Sequence, residues 1–177
     1  MAKKQYNCSI MSDKTQILTD KQVKQILKRL AYQVYENNFN EKEIIIAGIS
    51  GQGNLVAELL CVELAEICKI KMLTTNINLD KNNLAEQEVV LSNTKIDVGN
   101  KVVIVVDDVL NTGKTMLYSL MPLVSAKARK IQTLVLVDRN HISFPIKANY
   151  IGTALSTTLQ EHIEVSIVKG KVNVYLS

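Results

Sequence analysis

The sequence predicts an α/β domain with a central, mostly parallel sheet flanked by helices, and three observations predict it. Short apolar runs rich in β-branched residues recur at Glu43 to Ala47, Lys101 to Val106 and Ile131 to Val137, as expected of strands buried on both faces. Segments of helical spacing alternate with these runs. The runs empty into three polar or Gly-rich loops, Ser50–Gly53, Asp107–Thr115 and Asp138–His141, and sheets of this kind bind ligands beyond the carboxyl ends of their strands.

The chain has 177 residues, 47% of them hydrophobic, with 21 Lys and Arg against 17 Asp and Glu. At roughly 150 residues per domain this is one domain with room for a sizeable core. The expected unit is therefore a single domain over residues 1–177, with 1–16 as a poorly ordered extension. Ordinary apolar content and a net charge of +4 exclude a disordered chain. Three cysteines, Cys8, Cys61 and Cys68, are too few and odd in number for a disulfide framework. They fit thiols packed in a core and a reducing cytoplasm. The longest uninterrupted aliphatic run, Val102 to Val106, falls far short of the roughly 20 residues of a spanning helix, so no membrane partner is expected. Met1 to Asn7 carries two lysines with no apolar stretch behind them and does not read as a signal peptide.

Along the chain, Thr19 and Gln22 form a capping box before Val23, Ile26, Leu27, Leu30, Ala31, Val34 and Tyr35, which predicts a helix from about Asp20 to Asn37. Glu43 to Ala47 ends in Gly48, followed by the Ser50–Gly53 loop and an apolar helix over about Asn54 to Cys68. A strand over Met72 to Leu79 leads into the polar stretch Asp80 to Glu88, a candidate mobile loop, with Val89 to Leu91 beyond. After Lys101 to Val106 and its loop comes a helix through about Ala126, which Pro122 should kink. Glu164 to Val168 and Lys171 to Leu176 flank Lys169-Gly170 and predict a C-terminal β hairpin. The basic groups Lys24, Lys28 and Arg29, and Lys127, Arg129 and Lys130, are interleaved with apolar residues and fit solvated helix faces more readily than a nucleic-acid surface, the alternative they leave open.

The segment richest in chemistry is Val102 to Thr115, VVIVVDDVLNTGKT. It delivers two adjacent carboxylates at a strand end and then a short turn into a helix N-terminus, where free backbone N–H groups and the helix dipole attract an anion. Gly113 admits close approach of a phosphate, and Thr112 and Thr115 add hydroxyl donors. The Gly-Lys-Thr ending is not a P-loop, because the position five before Gly113 is Asp108 rather than glycine and would repel the phosphates. With two histidines, His141 and His162, and scattered cysteines, a transition-metal site is not expected. His141, at a strand's carboxyl end beside Arg139, is open to reading as a general base or as a loop-surface histidine.

This hydrophobic strand, acid pair and x-T-G-K-T turn resembles the phosphoribosyl-pyrophosphate (PRPP) signature of type I phosphoribosyltransferases. DDVLNTGKT, LVLVDRNHISFPIKANYIG and the spacing between them are similar to the group of pyrimidine operon regulators and uracil phosphoribosyltransferases (PyrR), over nearly the whole chain from about Ile17. The resemblance implies a homodimer and a catalytic set of Asp107 and Asp108, on the ribose hydroxyls of PRPP, with Lys81 in a closing loop over Leu79 to Leu84. It implies that Asn111, Thr112, Gly113, Lys114 and Thr115 cradle the 5′-phosphate. Ser50, Gly51, Gln52 and Gly53 would hold pyrophosphate, and Asp138, Arg139 and Ile151 to Thr157 would lie at the nucleobase. Mg²⁺ would ride mainly on the pyrophosphate, with no dedicated protein ligand set.

The sequence departs from that pattern in three places, the pyrophosphate loop, the closing loop and the base segment. Gln52 stands where the group usually has a basic residue. Lys81 replaces an Arg, keeping charge but losing the bidentate fork. Thr153-Ala154 replaces a Lys-Asn pair, and Ser156 a Pro. Asn111, where purine enzymes of this type commonly carry an Asp, cannot exchange a proton with a base. The implied reaction is uracil plus PRPP giving the nucleoside monophosphate UMP and pyrophosphate. The alternatives are a nucleotide-sensing regulator that binds RNA, and purine salvage on the same fold.

Overall fold

A computed structural model describes residues 14–79, 89–93, 96–158, 160–168 and 170–177. Its larger sheet has six strands, in the order β4(Val90–Leu91), β3(Lys71–Asn78), β2(Glu43–Ile49), β5(Val102–Leu110), β6(Lys130–Asp138), β7(Tyr150–Ala154). All neighbours are parallel except β3 and β4. A second, antiparallel sheet joins β1(Thr15–Leu18), β9(Lys171–Leu176) and β8(Ile163–Val168). The α/β class and the C-terminal hairpin match the sequence reading. Strand β1 begins inside the stretch expected to be an extension, and its pairing with β9 ties Thr15 and Gln16 to the domain.

Helices cover both faces of the large sheet. Helix α1(Asp20–Asn38) starts at the expected capping box, with Thr19 N–H donating to Gln22 Oε1 at 2.9 Å. Its buried stripe of Val23, Leu27, Leu30, Ala31 and Val34 packs with α2(Gln52–Ile67) in one core. Burying those five side chains contributes on the order of 10 kcal/mol. Helix α3(Lys114–Ser125) lies on the opposite face, where Met116 and Leu123 pack on Ile45, Val103, Val105 and Val135. Pro122 sits late in α3, which ends three residues beyond it, so the proline acts near a terminus rather than mid-helix.

The strand order creates a switch point. The chain leaves β2 towards β3 on one side, whereas β5, β6 and β7 build outwards on the other. A crevice therefore opens between the carboxyl ends of β2 and β5, which in open α/β sheets is where ligands bind. Two elements differ from expectation there. Helix α2 begins at Gln52 rather than Asn54, so Gln52 and Gly53 form its first turn. Strand β5 runs on to Leu110 because its ladder with β6 continues to Leu110↔Asp138, while its pairing with β2 stops at Val106.

Candidate active site

The acid pair lies where the β5 pleat changes phase. Val106 and Val109 both face the α1/α2 core, whereas Val105 and Leu110 face the α3 core. Asp107 and Asp108 occupy the two positions between, past the last β2 partner. Asp107 is 4% exposed and its Oδ1 accepts the Asp108 N–H at 3.0 Å, while Asp108 is only half-buried. Helix α2 approaches so closely that a Cβ at Gly53 would stand 2.9 Å from the Val106 carbonyl oxygen and 3.0 Å from Asp107 Oδ1. Glycine at 53 is thus what lets the pyrophosphate-loop candidate sit against the acid pair.

Two helix N-termini meet at this edge from opposite faces of the sheet. Helix α2 is capped by Gly51 (φ 100°) and α3 by Gly113 (φ 83°, left-handed), and neither carries a side-chain cap. Their first-turn amides have no partner within the helix, and both dipoles point positive ends at the crevice. Ser50 is fixed in front of α2 by its N–H to the Ile77 carbonyl at 3.0 Å and its hydroxyl to the Leu79 carbonyl at 3.4 Å. Gln52 Oε1 and Asn54 Oδ1 are buried without a hydrogen-bond partner among the described residues.

The turn before α3 is shaped from outside its own sequence. Ser143 and Phe144 N–H groups both donate to the Thr112 carbonyl at 3.0 Å, and a Cβ at Gly113 would meet Ile146 Cγ2 at 2.5 Å. Lys114 N–H reaches Thr112 Oγ1 at 3.4 Å. A cavity of about 290 Å³ opens here, lined by Asp107, Asp108, Asn111, Thr112 and Thr115 and closed on one side by Ile163 of β8.

Beside it, β6 and β7 end together, with Val137↔Thr153 and Asp138↔Ala154 in register. Asp138 is 2% exposed and its Oδ1 accepts the Asn140 N–H at 2.9 Å, so the carboxylate holds its own turn. Arg139 is buried and donates through Nε to Thr157 Oγ1 at 2.5 Å, Nη1 to Asn111 Oδ1 at 3.1 Å and Nη2 to the Thr158 carbonyl at 2.8 Å. Glu161 in turn accepts the Thr158 N–H at 2.7 Å. That N–H, the Thr158 hydroxyl and the nearby Arg139 cation hold its carboxyl below the ordinary carboxylate range.

The structure thus gathers Ser50–Gly53, Asp107, Asp108, Asn111–Thr115, Asp138 and Arg139 at one sheet edge. Lys81, with most of the expected closing loop, lies outside the described residues. The sequence reading missed Thr158, Glu161 and Ile163, whose one signal was proximity to the Ile151–Thr157 segment. Cys61 and Cys68 are partly buried against the α1/α2 core, and burial pushes the Cys61 thiol up to about 11.

Residues 13–166 match the phosphoribosyl transferase domain family, to which the chain belongs. The class that fold and site define is therefore a phosphoribosyltransferase. Within the class the chain is PyrR-like. It is 33% identical over 160 residues to the bifunctional protein PyrR of Alkaliphilus metalliredigens, covering 86% of this chain and 88% of that one. It is likewise 33% identical over 177 residues to the bifunctional protein PyrR of Clostridium acetobutylicum, covering 93% and 99%. Among solved structures, hypoxanthine phosphoribosyltransferase of Trypanosoma cruzi shares the fold, with a TM-score of 0.73 at 14% identity over 92% of this chain and 95% of that one. That of Staphylococcus aureus gives 0.66 at 20% identity over 82% and 80%. Among the described residues no helix is long and apolar enough to cross a membrane.

Proposed function

We propose that this protein transfers the 5-phosphoribosyl group of PRPP to uracil, releasing pyrophosphate and forming UMP. The observation that carries the reading is the placement of two helix N-termini without side-chain caps on opposite faces of one sheet edge, with the acid pair between them. PRPP has the matching charge layout: a phosphate at C5, a pyrophosphate at C1 and hydroxyls between.

In this reading the amides of the Thr112–Thr115 turn hold the 5′-phosphate, and Asp107 and Asp108 accept from the ribose hydroxyls. The α2 first turn, with Gly51 and Gln52, faces the pyrophosphate. As a ring nitrogen of the base bonds to C1, the bond from C1 to pyrophosphate oxygen breaks, its electron pair leaving with pyrophosphate, and the N–H proton of the base passes to solvent. Positive charge builds on the sugar ring, where the buried Asp107 carboxylate stabilises it, and negative charge builds on the leaving group, where fixed amides receive it. Mg²⁺ fits the chemistry of the donors: Asp107 and Asp108 line the cavity with hard carboxylate oxygens, and PRPP would bring further oxygens of its own. When bound, it would neutralise charge on the departing pyrophosphate. The base reaches the ends of β6 and β7, beside Arg139 and Thr153–Thr157.

A second reading, a PyrR-like nucleotide-binding regulator of RNA with little turnover, is favoured by Gln52 and Thr153-Ala154, which lack the positive charges the resemblance leads one to expect there. Pyrophosphate release from PRPP and Mg²⁺ separates the readings, with uracil, hypoxanthine, guanine, adenine and orotate offered singly and an Asp107→Asn/Asp108→Asn protein as the blank. Release with uracil supports the proposal, and release with a purine alone overturns its base. Silence with every base, while UMP still raises the melting temperature, favours the regulator.

A further inference from the structure

The edge of the large sheet opposite the crevice carries a second cavity. It measures about 390 Å³ and lies where α1 ends and β2 and β3 begin, lined by Tyr35, Phe39, Glu41, Lys42, Lys69 and Ile70. The seven residues of β2 separate it from the catalytic edge, roughly 20 Å of extended chain, and no residue lines both cavities. Its inner wall is apolar and fixed. Tyr35 and Ile70 are half-buried against the α1/α2 core. The Lys71 N–H donates to the Lys42 carbonyl at 3.1 Å and so joins the two loops that frame the opening. Phe39 ends α1 and is 61% exposed, a ring left in water on a wall that a second aromatic residue shares.

The charges around the opening are uneven. Glu41 is the one acid among the lining residues, and Arg129 occupies it at 2.7 Å. The adjacent Glu43 is shared by Lys71 at 2.7 Å and Lys101 at 3.0 Å. Helix α1 points the negative end of its dipole here. Lys130 Nζ covers that end, donating to the Asn37 carbonyl at 2.8 Å and to Asn38 Oδ1 at 3.0 Å. Lys42 and Lys69 are exposed and have no ion pair among the described residues. Two unpaired cations thus stand beside two aromatic rings, with Glu41 and Glu43 already neutralised.

We infer that this cavity is a second ligand site and that it takes a small aromatic anion, one or two rings bearing a carboxylate, sulfonate or phosphate. The rings would lie against Phe39 and Tyr35, with the anion in reach of Lys42 and Lys69. Ammonium groups act as point charges and suit any of these anions. The volume falls at the small end of ligand cavities, which span about 300–1,000 Å³. The inference stands apart from the transferase reading, since it uses no residue of the crevice.

Titration of the full chain with 8-anilinonaphthalene-1-sulfonate, a fluorescent aromatic anion, tests it. The dye should bind once per chain and shift the amide NMR signals of Phe39, Lys42, Lys69 and Ile70. Lys42→Gln/Lys69→Gln should weaken it about tenfold, two exposed ion pairs lost, and Phe39→Ser severalfold. These side chains are exposed, so the melting temperature should hold in both variants. Lys114→Gln, in the crevice, should leave dye affinity unchanged. N-phenyl-1-naphthylamine has the same rings without the sulfonate and should bind the lysine variant as well as the native protein. Salicylate should displace the dye. Native dye affinity in the lysine variant, or amide shifts confined to Gly51–Gly53 and Thr112–Thr115, would overturn the inference. So would displacement by an aspartate-rich peptide or hexauridylate but not by salicylate, which would make the cavity a docking point for a larger partner.

Discussion

Replacing Gly113 by alanine tests how the phosphate turn is held. Gly113 caps α3 at φ 83°, and a Cβ there would stand 2.5 Å from Ile146 Cγ2 and 3.4 Å from the Phe144 carbonyl. The left-handed backbone costs an alanine about 1–2 kcal/mol. Displacing Ile146 costs about 1–3 kcal/mol more, because its methyl must leave a packed position. The expected loss is thus about 2–5 kcal/mol, and at about 2–4 °C per kcal/mol for a chain of this size it should be plain in a melting curve. Gly170 supplies the control, since its φ is 75° but nothing lies within 4 Å of its Cβ position. Gly170→Ala should cost only the backbone share, about 1–2 kcal/mol. Urea unfolding of both variants reads the difference, and calorimetry with ribose 5-phosphate reads the site. Gly113→Ala should lose affinity for the ligand while Gly170→Ala keeps it. Equal destabilisation of the two variants, or native affinity in Gly113→Ala, would refute the reasoning that Ile146 and the loop after β6 shape the turn.

Gly53→Ala should perturb the pyrophosphate side: its Cβ would stand 2.9 Å from a backbone carbonyl and 3.0 Å from Asp107 Oδ1. The clash outweighs the roughly 1 kcal/mol of helix propensity that alanine gains, and a pyrophosphate-release assay should show turnover down by up to about 100-fold, the loss that a misplacement of about 1 Å brings. Tyr150→Phe leaves Gln132 Nε2, now 2.6 Å from the Tyr150 hydroxyl, buried without that acceptor, and should cost about 1–3 kcal/mol in urea unfolding. Glu161 has a lowered pKa, so the hold it gives the Thr158 N–H is full above the ordinary value of 4.5 and lost as pH falls through its lower folded value. Hydrogen exchange at the Thr158 amide should therefore quicken below pH 4.5 in the native protein, beyond the intrinsic pH trend, and not in Glu161→Gln. With its pKa near 11, Cys61 should be about a thousandth thiolate at pH 8, and iodoacetamide should label it far more slowly in folded than in unfolded protein.

The parallel core was legible because its information is local. Ile44 to Ala47, Val102 to Val106 and Leu134 to Val137 are buried on both faces, and unbroken apolar runs say so without reference to any partner. The α1 boundary was equally plain, its capping box lying within four residues. Strand β1 was not, because four residues, Thr15 to Leu18, acquire strand geometry only by pairing with β9 at the other end of the chain. In β7 the apolar pattern is interrupted by Gly152, whose Cβ would collide with the Leu136 carbonyl oxygen of β6, so a close approach hides behind a residue that weakens a strand pattern. The extension of β5 through two aspartates runs against their low β-propensity and is enforced by β6. At the site, the sequence placed Asp107, Asp108 and the Gly113 turn together at a strand end, because they lie within one short segment. It could not show that Arg139 reaches across to Asn111 and Thr157, since that contact depends on where three separate segments end.

The central claim is that one sheet edge carries two separate anion sites flanking an acid pair. Calorimetric titration of pyrophosphate with Mg²⁺ into protein already saturated with ribose 5-phosphate tests it most directly. Both ligands should bind together, with Gly113→Ala weakening ribose 5-phosphate more than pyrophosphate and Gly53→Ala weakening pyrophosphate more than ribose 5-phosphate. Mutual exclusion of the two ligands, or the same ratio of losses in both variants, would contradict the claim of two separate sites.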